Sequence, residues 1–223
     1  MNVLLSWSGG KDACMCLDVL VKNGHKVVCL LTTESRETGR TFGHGEKREM
    51  IAAQGESLNI PVHIIEVEDQ QYTEKFINDI KMLKETFKAD AIAFGDLYFQ
   101  AHRDWGEQVA AAANLQAIYP LWMEKDQALD GLNQLLQSGY QAMVIRTMKD
   151  HPALTKWLGK TIDHEFAEEV LHTGICPMGE AGEYHTFVYD GPLFTNPISI
   201  QTGEIIDFET TNRIEIKSFS LVR

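Results

Sequence analysis

The stretch Asn2-Val3-Leu4-Leu5-Ser6-Trp7-Ser8-Gly9-Gly10-Lys11-Asp12-Ala13 decides the fold. A short apolar run, read as a strand over residues 2–7, enters a turn of small residues, and a helix follows at once. That helix is expected to bury Cys14, Leu17, Leu20 and Val21 on one face and to stop at Asn23-Gly24. Strand, turn and helix in direct succession are the opening of a βαβ unit. In an open parallel sheet, ligands bind at the carboxyl ends of the strands. The turn suits a polyphosphate there. Gly9 and Gly10 let the backbone approach without a Cβ clash, the helix start aims N–H groups at an anion, and Lys11 adds a charge.

The alternation continues outward from this point. Further strands are expected at residues 26–33, 60–67, 90–95, 117–120 and 140–147, with helices between them at 46–58, 72–88, 103–114 and 126–137. The expected fold is α/β, a doubly wound, Rossmann-like parallel sheet of about five strands. After a helix near 163–172 the pattern changes, and residues 184–222 read as β-rich, with turns at Asp190-Gly191-Pro192 and Thr202-Gly203. The expected division is a domain carrying the glycine loop over 1–148 and a smaller C-terminal α+β region over 149–223.

Composition narrows the function classes. The 223 residues, 44% hydrophobic and 23% charged, are those of an ordinary globular protein. No apolar run nears the roughly 20 residues that span a bilayer, so a cytoplasmic protein without a membrane partner is expected. The four cysteines Cys14, Cys16, Cys29 and Cys176 form no CxxC pair and read as buried, reduced thiols. A formal net charge of -12 weighs against nucleic acid as a partner, because that binding rests on neutralising phosphates. A small anion such as ATP remains compatible, since backbone N–H groups and Mg2+ hold phosphate without a basic surface.

Other nucleotide loops are absent: there is no GxxxxGK[ST] and no GxGxxG after a strand. His102-Arg103-Asp104 has the letters of a kinase catalytic triplet, but Val109 stands where its metal-binding Asn belongs.

Ser8-Gly9-Gly10-Lys11-Asp12-Ala13 resembles the SGGxDS loop of the N-type ATP pyrophosphatases, the adenine-nucleotide alpha-hydrolase superfamily with its HUP-type fold. Ala13 stands where that loop usually has a serine. Gly95-Asp96-Leu97 with His102-Arg103 and Glu107, Tyr119-Pro120-Leu121-Trp122, Gly179-Glu180-Ala181-Gly182-Glu183-Tyr184-His185-Thr186 and Asp190-Gly191-Pro192 together resemble the diphthine-ammonia ligase family. The resemblance covers nearly the whole chain, and some members carry a second acid where His185 stands.

What the resemblance implies is an AMP-forming ligase: ATP adenylates a substrate carboxylate, pyrophosphate leaves, and ammonia displaces AMP to form an amide. It would place ATP on Ser8, Gly9, Gly10, Lys11, Asp12, Thr32 and Gly95, with Mg2+ on Asp12. The expected catalytic residues are Lys11, Asp12, Glu180 and Glu183. The partners implied are a small or protein-borne carboxylate and ammonia. Two other classes compete. A sulfur-transfer enzyme of the same superfamily acting on tRNA would need a cysteine pair or an RNA-binding appendage, and an adenine-nucleotide sensor would need only the loop.

Overall fold

The computed structural model describes residues 1–68 and 71–222. Two compact units make up the chain, Met1–Ser8 with Asp12–Trp122, and Gly9–Lys11 with Met123–Arg223.

The first unit is an α/β sheet built by alternation: β1 (Asn2–Ser6), α1 (Lys11–Lys22), β2 (Lys26–Ser35), β3 (Arg40–Thr41), α2 (Arg48–Leu58), β4 (Val62–Val67), α3 (Tyr72–Phe87), β5 (Ala91–Ala93), α4 (Gln100–Ala112) and β6 (Gln116–Ile118). Five strands run parallel in the order β4-β2-β1-β5-β6, and the two-residue β3 adds an antiparallel pairing to the end of β2. The chain moves outward from β1 through β2 to β4, then returns across β1 to β5 and β6. Right-handed crossovers therefore set α1 and α2 against one face and α3 and α4 against the other. Trp105 of α4 donates from Nε1 to Thr73 Oγ1 of α3 at 3.1 Å, as neighbours on one face must. The doubly wound parallel sheet of five strands is as expected from the sequence.

Apolar side chains at strand spacing close the core. Leu4, Cys29, Leu31, Ile65, Val67 and Ile92 of the sheet pack with Phe76, Ile80 and Leu83 of α3 and Val109 and Ala110 of α4. Left-handed residues end the helices where the pattern stops, at Asn59 after α2 (φ 55) and Lys88 after α3 (φ 51). In α1 the buried face is Ala13, Cys14, Cys16, Leu17 and Leu20, whereas Val21 is exposed. Cys14, Leu17 and Leu20 are buried as expected, and only Val21 departs from the expected stripe.

The second unit carries α5 (Ala128–Ser138), β7 (Gln141–Met148), α6 (His164–Thr173), β8 (Tyr184–Asp190), β9 (Ile198–Asp207) and β10 (Thr211–Leu221). Its sheet is antiparallel, in the order β8-β7-β10-β9. Asp163 caps α6 by accepting from Phe166 N at 2.9 Å. Two expectations change here. The segment at 140–147 is a strand, but it pairs with β8 and β10 rather than joining the parallel sheet, so the chain divides after Trp122 and not near residue 149. A fully buried strand carries no mark of parallel or antiparallel pairing, which is why its apolar run did not tell the two apart. Thr202-Gly203 is no turn: it lies inside β9 at a register irregularity, and the reversal comes at residues 208–210, where Phe208 N donates to Thr211 O. Gly203 lies 3.3 Å, by its would-be Cβ, from the Glu215 carbonyl, a close strand approach that calls for glycine.

Among the described residues no helix is long and apolar enough to cross a membrane.

Candidate active site

β1 delivers the loop, and several contacts hold its exit. Trp7 N donates to Leu31 O at 2.7 Å, the Trp7 indole N–H donates to Gln54 Oε1 at 2.9 Å, and Thr32 Oγ1 donates to Trp7 O at 2.7 Å. Thr32, expected near adenine, thus has its hydroxyl engaged in fixing the strand end. Gly9 then turns with φ 80, a left-handed conformation that favours glycine. Gly9, Gly10 and Lys11 are buried, while Ser8 and Asp12 are half-buried.

Gly95 follows β5. A Cβ there would lie 3.2 Å from the carbonyl carbon and oxygen of Asp12, so glycine is what lets the first turn of α1 sit this close. Asp96 comes next, half-buried, with its Oδ1 2.9 Å from His102 Nδ1. Burial raises the Asp96 carboxyl above its ordinary value. His102 opposes that shift, and the charge of Asp12 adds to it. Gly95 packs against the Asp12 backbone and Asp96 follows it, so two carboxylates stand beyond the ends of the paired strands β1 and β5, a donor type that suits a divalent cation. The Asp96–His102 pair was not singled out as functional from the sequence. The signal was available, because Gly95-Asp96 stands just beyond a strand's carboxyl end. His102 is exposed on the first turn of α4.

The remaining family-like residues of the first unit form one stack. The Arg103 guanidinium lies 5.3 Å from the Tyr119 ring and 4.8 Å from the Trp122 ring and donates to Glu107 at 2.8 Å, while the Tyr119 hydroxyl donates to the Arg103 backbone carbonyl at 2.9 Å.

In the second unit, the loop segment Gly9–Lys11 lies along β8. Val188 N donates to Gly9 O at 2.9 Å, and Lys11 N donates to Thr186 Oγ1 at 3.0 Å. The Lys11 ammonium sits 4.9 Å from the centre of the Tyr184 ring. Lys11 therefore meets the GEAGEYHT segment directly. That segment is a tight turn: Gly179 (φ 65) and Gly182 (φ 85) are left-handed, and a Cβ on Gly179 would come within 2.7 Å of the Tyr184 ring. Glu183, 7% exposed, accepts from Cys176 N (3.1 Å, Oε1) and Ala181 N (2.9 Å, Oε2), and the Tyr184 hydroxyl donates to Pro177 O at 2.6 Å. Glu180 is half-buried.

All four cysteines are buried and free. Burial raises the thiols of Cys14 and Cys16, with the Asp12 charge contributing to both, and pushes the Cys29 thiol up to about 11. Thiols in that state are poor nucleophiles at neutral pH.

Family models match both units. Residues 1–117 match the diphthamide synthase N-terminal domain and residues 128–222 the diphthamide synthase C-terminal domain. The chain belongs to the diphthamide synthase family. Its relatives within that family include proteins named diphthine–ammonia ligase from Homo sapiens, 28% identical over 92% of this chain and 85% of the relative, and from Danio rerio, 28% identical over 92% and 89%. A third, from Schizosaccharomyces pombe, is 28% identical over 93% of this chain but 37% of its own length. Among solved structures, a predicted subunit of tRNA methyltransferase from Methanocaldococcus jannaschii is similar at a TM-score of 0.44 and 17% identity, over 86% of this chain and all of that one.

Proposed function

We propose that this diphthamide synthase family member is an ATP-dependent amide ligase. It adenylates a substrate carboxylate, releases pyrophosphate, and joins the acyl group to ammonia. The observation that carries the reading is the contact of Lys11, from the phosphate-type loop, with Thr186 and Tyr184 of the family-specific GEAGEYHT segment. One residue so placed serves both nucleotide and acceptor chemistry.

ATP would lie on Ser8, Gly9, Gly10, Lys11 and Asp12 at the end of β1, with Gly95 permitting the approach of α1 and the backbone of Thr32 beside the purine. The acceptor carboxylate oxygen attacks the α-phosphorus, and the bond to pyrophosphate breaks. Lys11 and the loop N–H groups neutralise charge growing on the departing group, the contribution that preorganised donors make best. Asp12, with Asp96 beyond the neighbouring strand, would hold Mg2+, which would supply further charge neutralisation to the phosphates. Ammonia then attacks the acyl carbon, AMP leaves, and the nitrogen loses a proton. Glu180 and Glu183 are the acids proposed for that step. Each Glu183 oxygen already accepts one backbone N–H and keeps a second acceptor direction, so this residue shapes the turn as well.

The buried, raised thiols argue against sulfur transfer, and the acidic chain argues against tRNA as substrate. The test is to incubate the protein with ATP, Mg2+, ammonium and pooled cell extract, following AMP, pyrophosphate and the component that gains an amide. Binding of ATP with no pyrophosphate released under any of these conditions would leave a nucleotide sensor instead.

A further inference from the structure

The guanidinium of Arg103 in α4 is held on three sides. Its Nε donates to Glu107 at 2.8 Å, and it lies 5.3 Å from the Tyr119 ring and 4.8 Å from the Trp122 ring. Those rings form a corner, 5.7 Å apart between centres and inclined at 74°. The Tyr119 hydroxyl fixes the same residue at its backbone, donating to the Arg103 carbonyl at 2.9 Å. An i, i+4 ion pair on a helix surface needs none of this, and alone it offsets little of the freedom lost in fixing an arginine side chain. Two rings and a carboxylate set the plane of this guanidinium, as a binding group requires and a solubilising charge does not.

Glu107 takes the Nε edge. Among the described residues none accepts a hydrogen bond from either Nη group, and the side chain is half-buried, so the fork is left to water or a ligand. The place is the carboxyl side of the parallel sheet, where ligands of such sheets bind. α4 follows β5, and Tyr119 follows β6. Phe94 N donates to Ile118 O at 3.0 Å and the Phe94 and Tyr119 rings stack at 5.5 Å, which ties the two strand ends together. Next to Phe94, Gly95 packs on the Asp12 backbone, and the charge of Asp96 adds to burial in raising the Tyr119 hydroxyl. In the strand order β4-β2-β1-β5-β6, Arg103 is therefore on the side of β1 away from β2. A nucleotide with its purine beside Thr32 of β2 and its α-phosphate at the end of β1 points its remaining phosphates that way.

We propose that Arg103 binds the β- and γ-phosphates of ATP, the group that leaves as pyrophosphate, with its two Nη groups forked onto phosphate oxygens. The assignment rests on the reading of the SGGKD loop as an ATP site. As the bond from the α-phosphorus to its bridging oxygen breaks, the electron pair goes to the departing pyrophosphate. A guanidinium fixed beforehand stabilises that charge without having to reorganise.

The test is calorimetric titration of the full-length protein, in Mg2+, with α,β-methylene-ATP, whose α–β link cannot be cleaved, and separately with AMP. Wild type is compared with Arg103→Met and Arg103→Lys, with a melting curve for each. Arg103→Met should weaken the triphosphate analogue by about tenfold or more while AMP affinity stays within about threefold. Arg103→Lys should weaken the analogue by less, because lysine keeps the charge and loses the fork. Retained AMP affinity shows that the nucleotide site is still folded. Should Arg103→Met melt too early to titrate, Arg103→Lys decides by the same criterion, loss of analogue affinity in excess of any loss for AMP. Unchanged analogue affinity in the variants, or equal losses for analogue and AMP, would overturn the proposal and leave the ATP reading standing. Wild type that binds neither ligand would instead remove the ATP reading, and this assignment with it.

Discussion

Two glycine-bearing turns, at residues 8–12 and 179–183, hold their shape by opposite means. The first is fixed from outside itself: Thr32 holds the carbonyl of Trp7, Gly95 lies against the backbone of Asp12, and Thr186 accepts from Lys11 N. The second is fixed by its own neighbourhood, with the Glu183 carboxylate accepting from Cys176 and Ala181 and the Tyr184 hydroxyl donating to Pro177. A turn supported from outside can be perturbed at its supports without altering its own side chains. A turn supported by its own acid makes that acid both scaffold and candidate reagent, and substitutions there should mix two effects that remain separate in the first.

The largest expected effect is the cleanest. Lys11→Ala should lower AMP formation by roughly a hundredfold or more, the scale of one preorganised electrostatic contact in a transition state. ATP affinity should fall less, because charge on the leaving pyrophosphate grows as the reaction proceeds. Equal turnover in mutant and wild type, with the same melting temperature, would break the first half of the contrast.

Glu183→Gln is the mixed case. A glutamine presents one oxygen and one NH2 where two backbone N–H groups each had an acceptor, so one buried amide is left unpaired at a cost of about 1–3 kcal/mol. Melting should drop by several degrees at about 2–4 °C per kcal/mol for a chain of this size. Turnover should fall as well. Glu180→Gln should lower product formation at unchanged ATP affinity if its carboxylate takes the proton from ammonia. Assaying both variants for AMP release and thermal unfolding sharpens the contrast; a Glu183→Gln protein that melts early yet turns over normally when cold would make this acid scaffold alone.

Gly95→Ala probes the outside support. The new Cβ would lie 3.2 Å from the Asp12 carbonyl, so α1 must retreat by a few tenths of an ångström. A stability loss of about 1–3 kcal/mol is expected from such overpacking, together with weaker ATP binding. Thermal unfolding and nucleotide titration of the same preparation check it.

The same contrast explains what the sequence made legible. The β1–loop–α1 segment could be read because strand, glycine turn and helix are local patterns, each with its own periodicity or backbone demand. The five-strand parallel sheet followed from repeating that pattern. The place of β7 did not, because pairing with β8 and β10 is a contact over a long stretch of chain, and an apolar run such as Ala142–Ile145 suits either sheet. Glu183 could be named as important, but its double clasp depends on Cys176 and Ala181 sitting together in a turn whose path no periodicity announces. The setting of Arg103 was hidden for the same reason: no periodicity along α4 brings the rings of Tyr119 and Trp122 to its guanidinium.

The smallest expected effect asks whether support and ligand binding are separable within the first turn. Thr32 is 2% exposed, and its hydroxyl donates to the Trp7 carbonyl, the last backbone acceptor before Ser8. Thr32→Val keeps the β-branched shape that suits β2 and removes only that hydrogen bond, which should cost about 1 kcal/mol and leave a buried carbonyl with one partner fewer. Melting should fall by a few degrees. If the hydroxyl acts solely as a brace, ATP affinity should change by less than about threefold, well under the 1.4 kcal/mol that makes a tenfold difference. A variant that melts normally but binds ATP tenfold more weakly would mean that the Thr32 side chain reaches the nucleotide, and the support of the first turn would have to be sought in Gly95 and Thr186 alone.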